Sequence, residues 1–302
     1  MNTFSIVLNN DQIKKILSFL HKYQLTKPDN PNIYYFFKYK GTTISIFKTK
    51  KMFIQGKDAD VIGEELVNKK EIAKVVTKAP VTKNTKVSSD YIGADEVGVG
   101  DYFGGLVTCA CYVKHENEAK LKELGVRDSK DLTDEQMNEM YSDVVKLVDF
   151  EVNVQSPEQY NSLVKKFKNT HIVKTYMHDL AIKKLSNKLN IGVIDVVMDQ
   201  YVDEKNYYGY FKIIGCEPYP IKLFLTKAEN KFLAVACASI IARVAFLQQI
   251  NQLRRTSKIN FHLGSSDKNI VSEAKAIYDK GGIELLNKFV KIDFKTTEKV
   301  KN

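Results

Sequence analysis

The spacing of apolar residues divides the chain into short strand-like and helical stretches. Residues 4–8 (FSIVL) form an apolar run that predicts a short strand. Ile13, Ile16, Leu17 and Leu20 then recur at helical spacing within residues 10–25, with Asn10 placed to cap ahead of Asp11. Pro28, Asn30 and Pro31 mark a turn. Residues 33–38, 42–47 and 51–55 read as strands punctuated by Gly41 and Gly56, and residues 58–70 as a closing helix. The result is a small α+β module. Residues 76–90 (VTKAPVTKNTKVSSD) have no apolar period and are rich in Lys, Thr and Ser, as a linker would be. The expected organisation is a domain at 1–75, a linker at 76–89 and a second domain at 90–302.

The second domain mixes buried strands with longer helices. Residues 91–94 and 106–113 are apolar strand-like runs separated by a Gly-rich turn. Thr133 and Gln136 form a capping box, and Ser156, Pro157 and Gln159 repeat the signal with Pro at the first helical position. Residues 148–154, 193–198 and 220–225 predict strands, and residues 171–188 a helix. The longest helix is expected over residues 230–254, where Ala234, Ala236, Cys237, Ala238 and Ala242 allow close packing on a sheet. Helices around 268–280 and 282–290 complete the chain. There is no internal repeat.

Composition adds limits. At 302 residues, 44% hydrophobic and 27% charged, the chain can build a core without staples. It has no run of about 18 apolar residues, so no membrane span is expected. Residues 1–8 lack the basic start and apolar run of a signal peptide, and a cytoplasmic protein is expected. Cys109, Cys111, Cys216 and Cys237 match no zinc spacing and are expected to be buried, reduced thiols. Net charge is +10, and residues 1–90 supply eight of it through 16 lysines, no arginine and 8 acids. Such a field favours phosphate backbones, although a lysine-rich solvated surface gives the same balance.

The chemistry gathers at strand ends. In YIGADEVGVGDYFGG (91–105) an apolar strand ends in Asp95 and Glu96, followed by Gly98 and Gly100. Carboxylates at a sheet rim can converge, and glycines after them let backbone N–H groups approach a ligand. Phosphodiester hydrolysis needs added negative charge stabilised, which divalent cations on hard oxygen ligands do; Mg2+ or Mn2+ is the expected cofactor. A solvated D-E-x-G turn is the plain alternative. Asp199 ends the buried run VVMD and is either a site residue or a strand-end solvent contact. Asp195 shares its face by period two, while Asp203 and Glu204 read as solvated charges. Glu229, in TKAEN, is either a carboxylate matched to a helix dipole or a fourth acid of the site.

Taken together, these runs resemble ribonuclease HIII, a family of type 2 ribonucleases H. GADEVGVGDYFGG (93–105) is similar to its opening motif, and RDSKDL (127–132), MDQYVDEKNYYGY (198–210) and TKAENKFLAVACASIIAR (226–243) follow in its order and spacing. KIDFKTTEKV (291–300) and KKMFIQGKDAD (50–60) also resemble the family, so the likeness spans nearly the whole chain. It implies an α/β ribonuclease H-like mixed sheet flanked by helices, preceded by a small α+β domain resembling half of the TATA-box-binding fold. It implies a catalytic set of Asp95, Glu96, Asp199 and Glu229, with metal held by Asp95, Glu96 and Asp199. Gly98, Val99, Gly100 and Lys130 are the implied contacts to substrate. Three features depart from the family pattern: Val99 stands where Thr is usual, Gly105 where Pro is usual, and the stretch 171–178 differs. A looser start to the strand after Gly105 is the expected consequence.

The implied activity is endonucleolytic hydrolysis of the RNA strand of RNA–DNA hybrids by a two-metal mechanism, leaving 5′-phosphate ends. The partner is the hybrid duplex, with no membrane, no organic cofactor and a monomeric enzyme. The alternatives are a hybrid-binding protein that does not cleave, and a metal-dependent DNA nuclease or phosphotransferase. Four mutually repelling acids weigh against a pure binder.

Overall fold

The structure is a computed structural model. It describes residues 2–20, 23–25, 30, 32–68, 87–127, 131–265 and 267–301. The chain divides into two compact units, residues 1–83 and 84–302. Most of the expected linker, residues 76–86, lies outside the described residues, as does Lys130.

In the first unit, β1 (Thr3–Val7), α1 (Asn10–Leu20), β2 (Ile33–Tyr39), β3 (Thr42–Phe47), β4 (Lys51–Gln55) and α2 (Ala59–Asn68) form a helix-backed sheet ordered β1-β4-β3-β2. All its pairs are antiparallel. Asn9, not Asn10, caps α1: its side chain accepts from the Gln12 N–H (2.8 Å), and Gln12 Oε1 accepts from the Asn9 N–H (2.9 Å). One sheet face carries Phe37, Ile44, Ile46, Met52 and Ile54 into a core with Ile16, Leu20, Ile62 and Leu66. By register, Ser5, Phe53, Ser45 and Phe36 line up across the other face.

The second unit contains β5 (Tyr91–Val97), β6 (Val107–Val113), α3 (Glu118–Glu123), α4 (Asp134–Leu147), β7 (Asp149–Val154), α5 (Pro157–Phe167) and α6 (Thr170–Leu189). It continues with β8 (Val196–Asp199), α7 (Glu204–Ile214), β9 (Leu223–Leu225), α8 (Leu233–Ser257), α9 (Lys268–Leu286) and α10 (Thr296–Lys301). The sheet is mixed, ordered β7-β6-β5-β8-β9, with β8 parallel to β5 and β9, and β6 antiparallel to β5 and β7. Both expected capping boxes form, at Thr133 and Ser156. A break at Gly281 and Gly282 divides α9 into two helical parts, the second ending at Leu286 rather than near 290.

Period two along β5 and β6 splits the core into two layers. Tyr91, Cys109, Cys111 and Val197 pack with α8; Ile92, Ala94, Ala110 and Met198 pack with α6. A Cβ on Gly93 would collide with the backbone of Ala234 and Val235, so glycine is what lets α8 lie this close to β5. By length and composition alone α8 is apolar enough to cross a membrane, but its apolar window is 67% buried inside the protein, as in a core helix.

Three expectations need correction. Cys216 is exposed, because it follows Gly215 at the exit from α7, whereas Cys109, Cys111 and Cys237 are buried. Asp203 and Glu204 are exposed, as solvated charges should be, and Asp203 also caps α7 by accepting from the Asn206 N–H (2.8 Å). Asp195 precedes β8, and its Oδ2 accepts from Ser88 N–H (2.9 Å) and Ser88 O–H (3.1 Å). The start of β6 is not loose: Gly105 is buried and donates its N–H to Gln249 Oε1 (2.7 Å), a bond that proline could not make.

Candidate active site

Asp95 and Glu96 are neighbours in β5, so the pleat sends their side chains to opposite faces of the sheet. Asp95 shares parity with Gly93 and faces α8, where the Ser239 hydroxyl bonds its carboxylate. The Glu96 N–H also donates to Asp95 Oδ1 (2.8 Å). Asp199 closes β8, the parallel neighbour of β5, on the same side as Val197 and therefore on the α8 side. Its Oδ1 accepts from the Ala228 N–H (3.1 Å). That amide opens a one-turn 3-10 helix, Ala228–Asn230, which holds Glu229 buried just before α8. Glu229 thus belongs to a separate turn rather than to the long helix.

Glu96 faces α6 instead. Lys174 Nζ donates to Glu96 Oε1 (2.6 Å), and His178 Nε2 lies 2.8 Å from Oε2. Lys174 also sits over the Tyr201 ring, 3.9 Å from its centroid, and His178 stacks on the same ring. The Tyr201 hydroxyl bonds Thr175 Oγ1 (2.8 Å). Sequence reasoning missed Lys174, His178, Tyr201 and Ser239. The available signal was the i, i+4 spacing of Lys174 and His178 between apolar neighbours on a helix.

The two adjacent acids differ electrostatically. Burial, then the charges of Glu96 and Asp199, push the Asp95 carboxyl up to about 8 against the pull of Ser239 and the Glu96 amide. Burial would also raise Glu96, but the bonds and charges of His178 and Lys174 outweigh it and hold that carboxyl down to about 2.

A cavity of about 470 Å3 collects Asp95, Glu96, Asp199 and Glu229 with Gly98, Val99, Ser239 and Arg243. Arg243 is fixed on Asp134 by two bonds (2.8 and 3.0 Å). Gly98 turns the chain with φ 98°, a conformation that L side chains rarely adopt, and Val99 stands 46% exposed at the turn. Gly100 is exposed beside it. Among the described residues, no three His, Cys, Asp or Glu side chains form a ready-made metal group. The donor chemistry nevertheless suits a hard divalent cation: carboxylates crowd one cavity, and a cation there would offset the burial and the like charges that together raise Asp95.

A mixed sheet with carboxylates where two parallel neighbours end, covered by helices on both faces, is the plan of the ribonuclease H-like nucleases. Comparisons with known proteins agree. The ribonuclease HII family model matches residues 92–297, and a domain family of unknown function matches residues 3–79. Ribonuclease HIII of Ureaplasma parvum is 31% identical, covering 99% of this chain and 99% of that protein. Ribonuclease HIII of Staphylococcus saprophyticus is 37% identical over 88% of this chain and 86% of its own. Among solved structures, Bst-RNase HIII in complex with Mn2+ superposes with a TM-score of 0.68 at 26% identity, covering 99% of this chain and 98% of that one. The chain belongs to the ribonuclease HIII family, metal-dependent endonucleases that hydrolyse the RNA strand of RNA–DNA hybrids.

Proposed function

We propose that Asp95, Glu96, Asp199 and Glu229 carry this hydrolysis, with Mg2+ or Mn2+ held by Asp95, Glu96 and Asp199. One observation carries the assignment: Asp95, near the C-terminal end of β5, and Asp199, the last residue of the parallel neighbour β8, face the same side of the sheet and share a cavity with Glu229. Bound divalent ions would supply an activated water and neutralise charge at the leaving 3′ oxygen. The chain's own residues do the orienting. Ser239 and the Glu96 amide fix Asp95, the Ala228 amide fixes Asp199, and α6 fixes Glu96. The turn Gly98-Val99-Gly100 lies beside the acids, where backbone groups can meet the RNA strand and its 2′-hydroxyls. Val99 has no hydroxyl to offer, so that contact rests on the backbone. Lys130 is proposed as a phosphate contact on the strength of its motif alone.

The first unit is proposed to grip the hybrid as a domain of TATA-box-binding type. Phe36, Phe47 and Phe53 stand on the sheet face away from its core, and Lys38 and Lys51 share that face. The enzyme is proposed to act as a monomer in the cytoplasm, without an organic cofactor.

The test is a hybrid labelled on either strand, a DNA duplex and a chelator. Cleavage confined to the RNA strand, giving 5′-phosphate ends and abolished by chelation, is expected. Binding without cleavage in Mg2+ or Mn2+ would leave only a hybrid-binding protein. Cutting of the DNA duplex would make it a DNA nuclease.

A further inference from the structure

We infer that the C-terminal segment 290–297 is a strap that sets the glycine turn after the acids, and that Lys291 is its positioning residue. The inference rests on the proposal that this turn meets the RNA strand.

Lys291 is fully buried, yet its ammonium has only main-chain partners close by. Nζ donates to Asp101 O (2.6 Å) and to Gly104 O (2.9 Å), bracketing the far side of the turn. The Lys291 N–H donates to Tyr102 O (2.9 Å), between those two carbonyls. Three successive donations therefore come from one residue to one loop, across a sequence separation of 187 or more.

Other bonds complete the strap. The Gly104 N–H donates to Phe289 O (2.9 Å), and Phe103 bridges Val290. The Tyr102 and Thr297 hydroxyls bond at 3.0 Å. On the opposite flank the Tyr102 N–H donates to Gly264 O (2.6 Å), and Asp101 Oδ1 accepts from the Gly264 N–H (2.8 Å). The backbone just after Gly98 to Gly100 is thus held on both sides by chain distant in sequence.

Packing alone does not call for a lysine here. A buried ammonium is costly to desolvate, and methionine would fill a similar volume. Burial duly pulls the Lys291 ammonium down to about 7. Among the described residues, Lys291 is in no ion pair; Tyr160 and Phe294 offer ring faces at 5.6 and 5.8 Å. What lysine adds over methionine is N–H donors, and both of its acceptors are carbonyls of the turn. Without them Asp101 O and Gly104 O would lose their Nζ partner. A shift of about 1 Å in such a loop is enough to spoil substrate placement.

The test uses the full-length chain with Lys291→Met and, separately, Val99→Asp. For Lys291→Met, KM for hybrid should rise by about tenfold while kcat changes by less than about threefold. Amide hydrogen exchange should accelerate at residues 98–104 and not in β5 or α8. A lowered Tm with wild-type KM and unchanged exchange in the turn overturns the inference and leaves Lys291 a purely structural residue. Val99→Asp tests the underlying reading independently, because it puts a negative charge where RNA should approach. If Val99→Asp leaves KM unchanged, the turn does not meet the substrate; exchange in Lys291→Met then decides only whether the strap orders it. Should Lys291→Met not fold, Thr297→Val, which deletes only the bond to Tyr102, should move KM and turn exchange in the same direction by less. No change in either would overturn the strap.

Discussion

Lys174 Nζ stands 2.6 Å from Glu96 Oε1, on the face of the sheet opposite to Asp95. Helix α6 thereby neutralises one of two adjacent acids and leaves the other to repulsion. In Lys174→Met, Glu96 keeps His178 but loses its nearer cation, and stability at pH 7 should fall by about 1–3 kcal/mol. The folded Glu96 value, about 2, lies below the ordinary 4.5, so the stabilisation is full above about pH 4.5 and fades as pH falls toward 2. Thermal melts of both proteins between pH 7 and 3 should converge toward the acid end. An equal deficit at every pH would mean that only packing was lost.

Asp95→Asn should abolish cleavage and leave the fold intact. The folded carboxyl is raised to about 8 from 3.8, so the folded state holds its proton more tightly than the unfolded chain does. Its contribution is therefore most favourable below about pH 4 and is lost as pH rises through 8. The variant should gain on the parent over that window, by at least about 1 kcal/mol at pH 8 in chelator, or about 2–4 °C in Tm. Mn2+ should raise the Tm of the parent more than that of the variant. Near-normal turnover in Mg2+ would remove Asp95 from the site.

How much of this was visible in the sequence depended on what interrupted a pattern. Asp95, Glu96 and Asp199 stood out because each breaks an apolar run. That Asp95 and Glu96 face different helices follows from period two, but their partners do not. Lys174 and His178 lie on a helix whose polar residues occur all round, and such residues read as a solvated surface until Glu96 of β5 and the Tyr201 ring are placed against them. The sequence does not signal helix α7, because Gly209 and a run of tyrosines obscure its period, although the buried pair Tyr207 and Phe211 is spaced i, i+4. In β2 (IYYFFKY) aromatic residues occupy both parities, so the sequence does not identify the core face. Phe37 goes to the core, Tyr35 packs against it, and Phe36 takes the other face.

Glu229→Gln separates two roles. Glu229 sits in its own 3-10 turn, with α8 beginning only at Leu233, so the helix dipole gives little reason for a charge there. The variant should lose at least about a hundredfold in kcat while its Tm stays level or rises, since one member of a like-charged cluster is neutralised. A lower Tm with unchanged kcat would assign Glu229 to structure.

The first unit carries most of the excess charge, and its sheet has one face turned away from its core. A chain beginning at Val87 keeps Ser88 bonded to Asp195 and Val87 against the core of the second unit, so it should fold without residues 1–86. It retains all four acids and should cleave at high hybrid concentration. Loss of a uniform grip on substrate raises KM much more than it lowers kcat. Each phosphate contact removed should also flatten the log–log dependence of affinity on salt by roughly 0.7 to 0.9. Within the full chain, Phe53→Ala and Lys38→Ala should move KM in the same direction, whereas Phe37→Ala, a core truncation, should cost about 3–5 kcal/mol of stability in its unit. If the shortened enzyme binds hybrid as tightly as the full chain, with the same salt slope, the first unit serves some purpose other than holding the substrate.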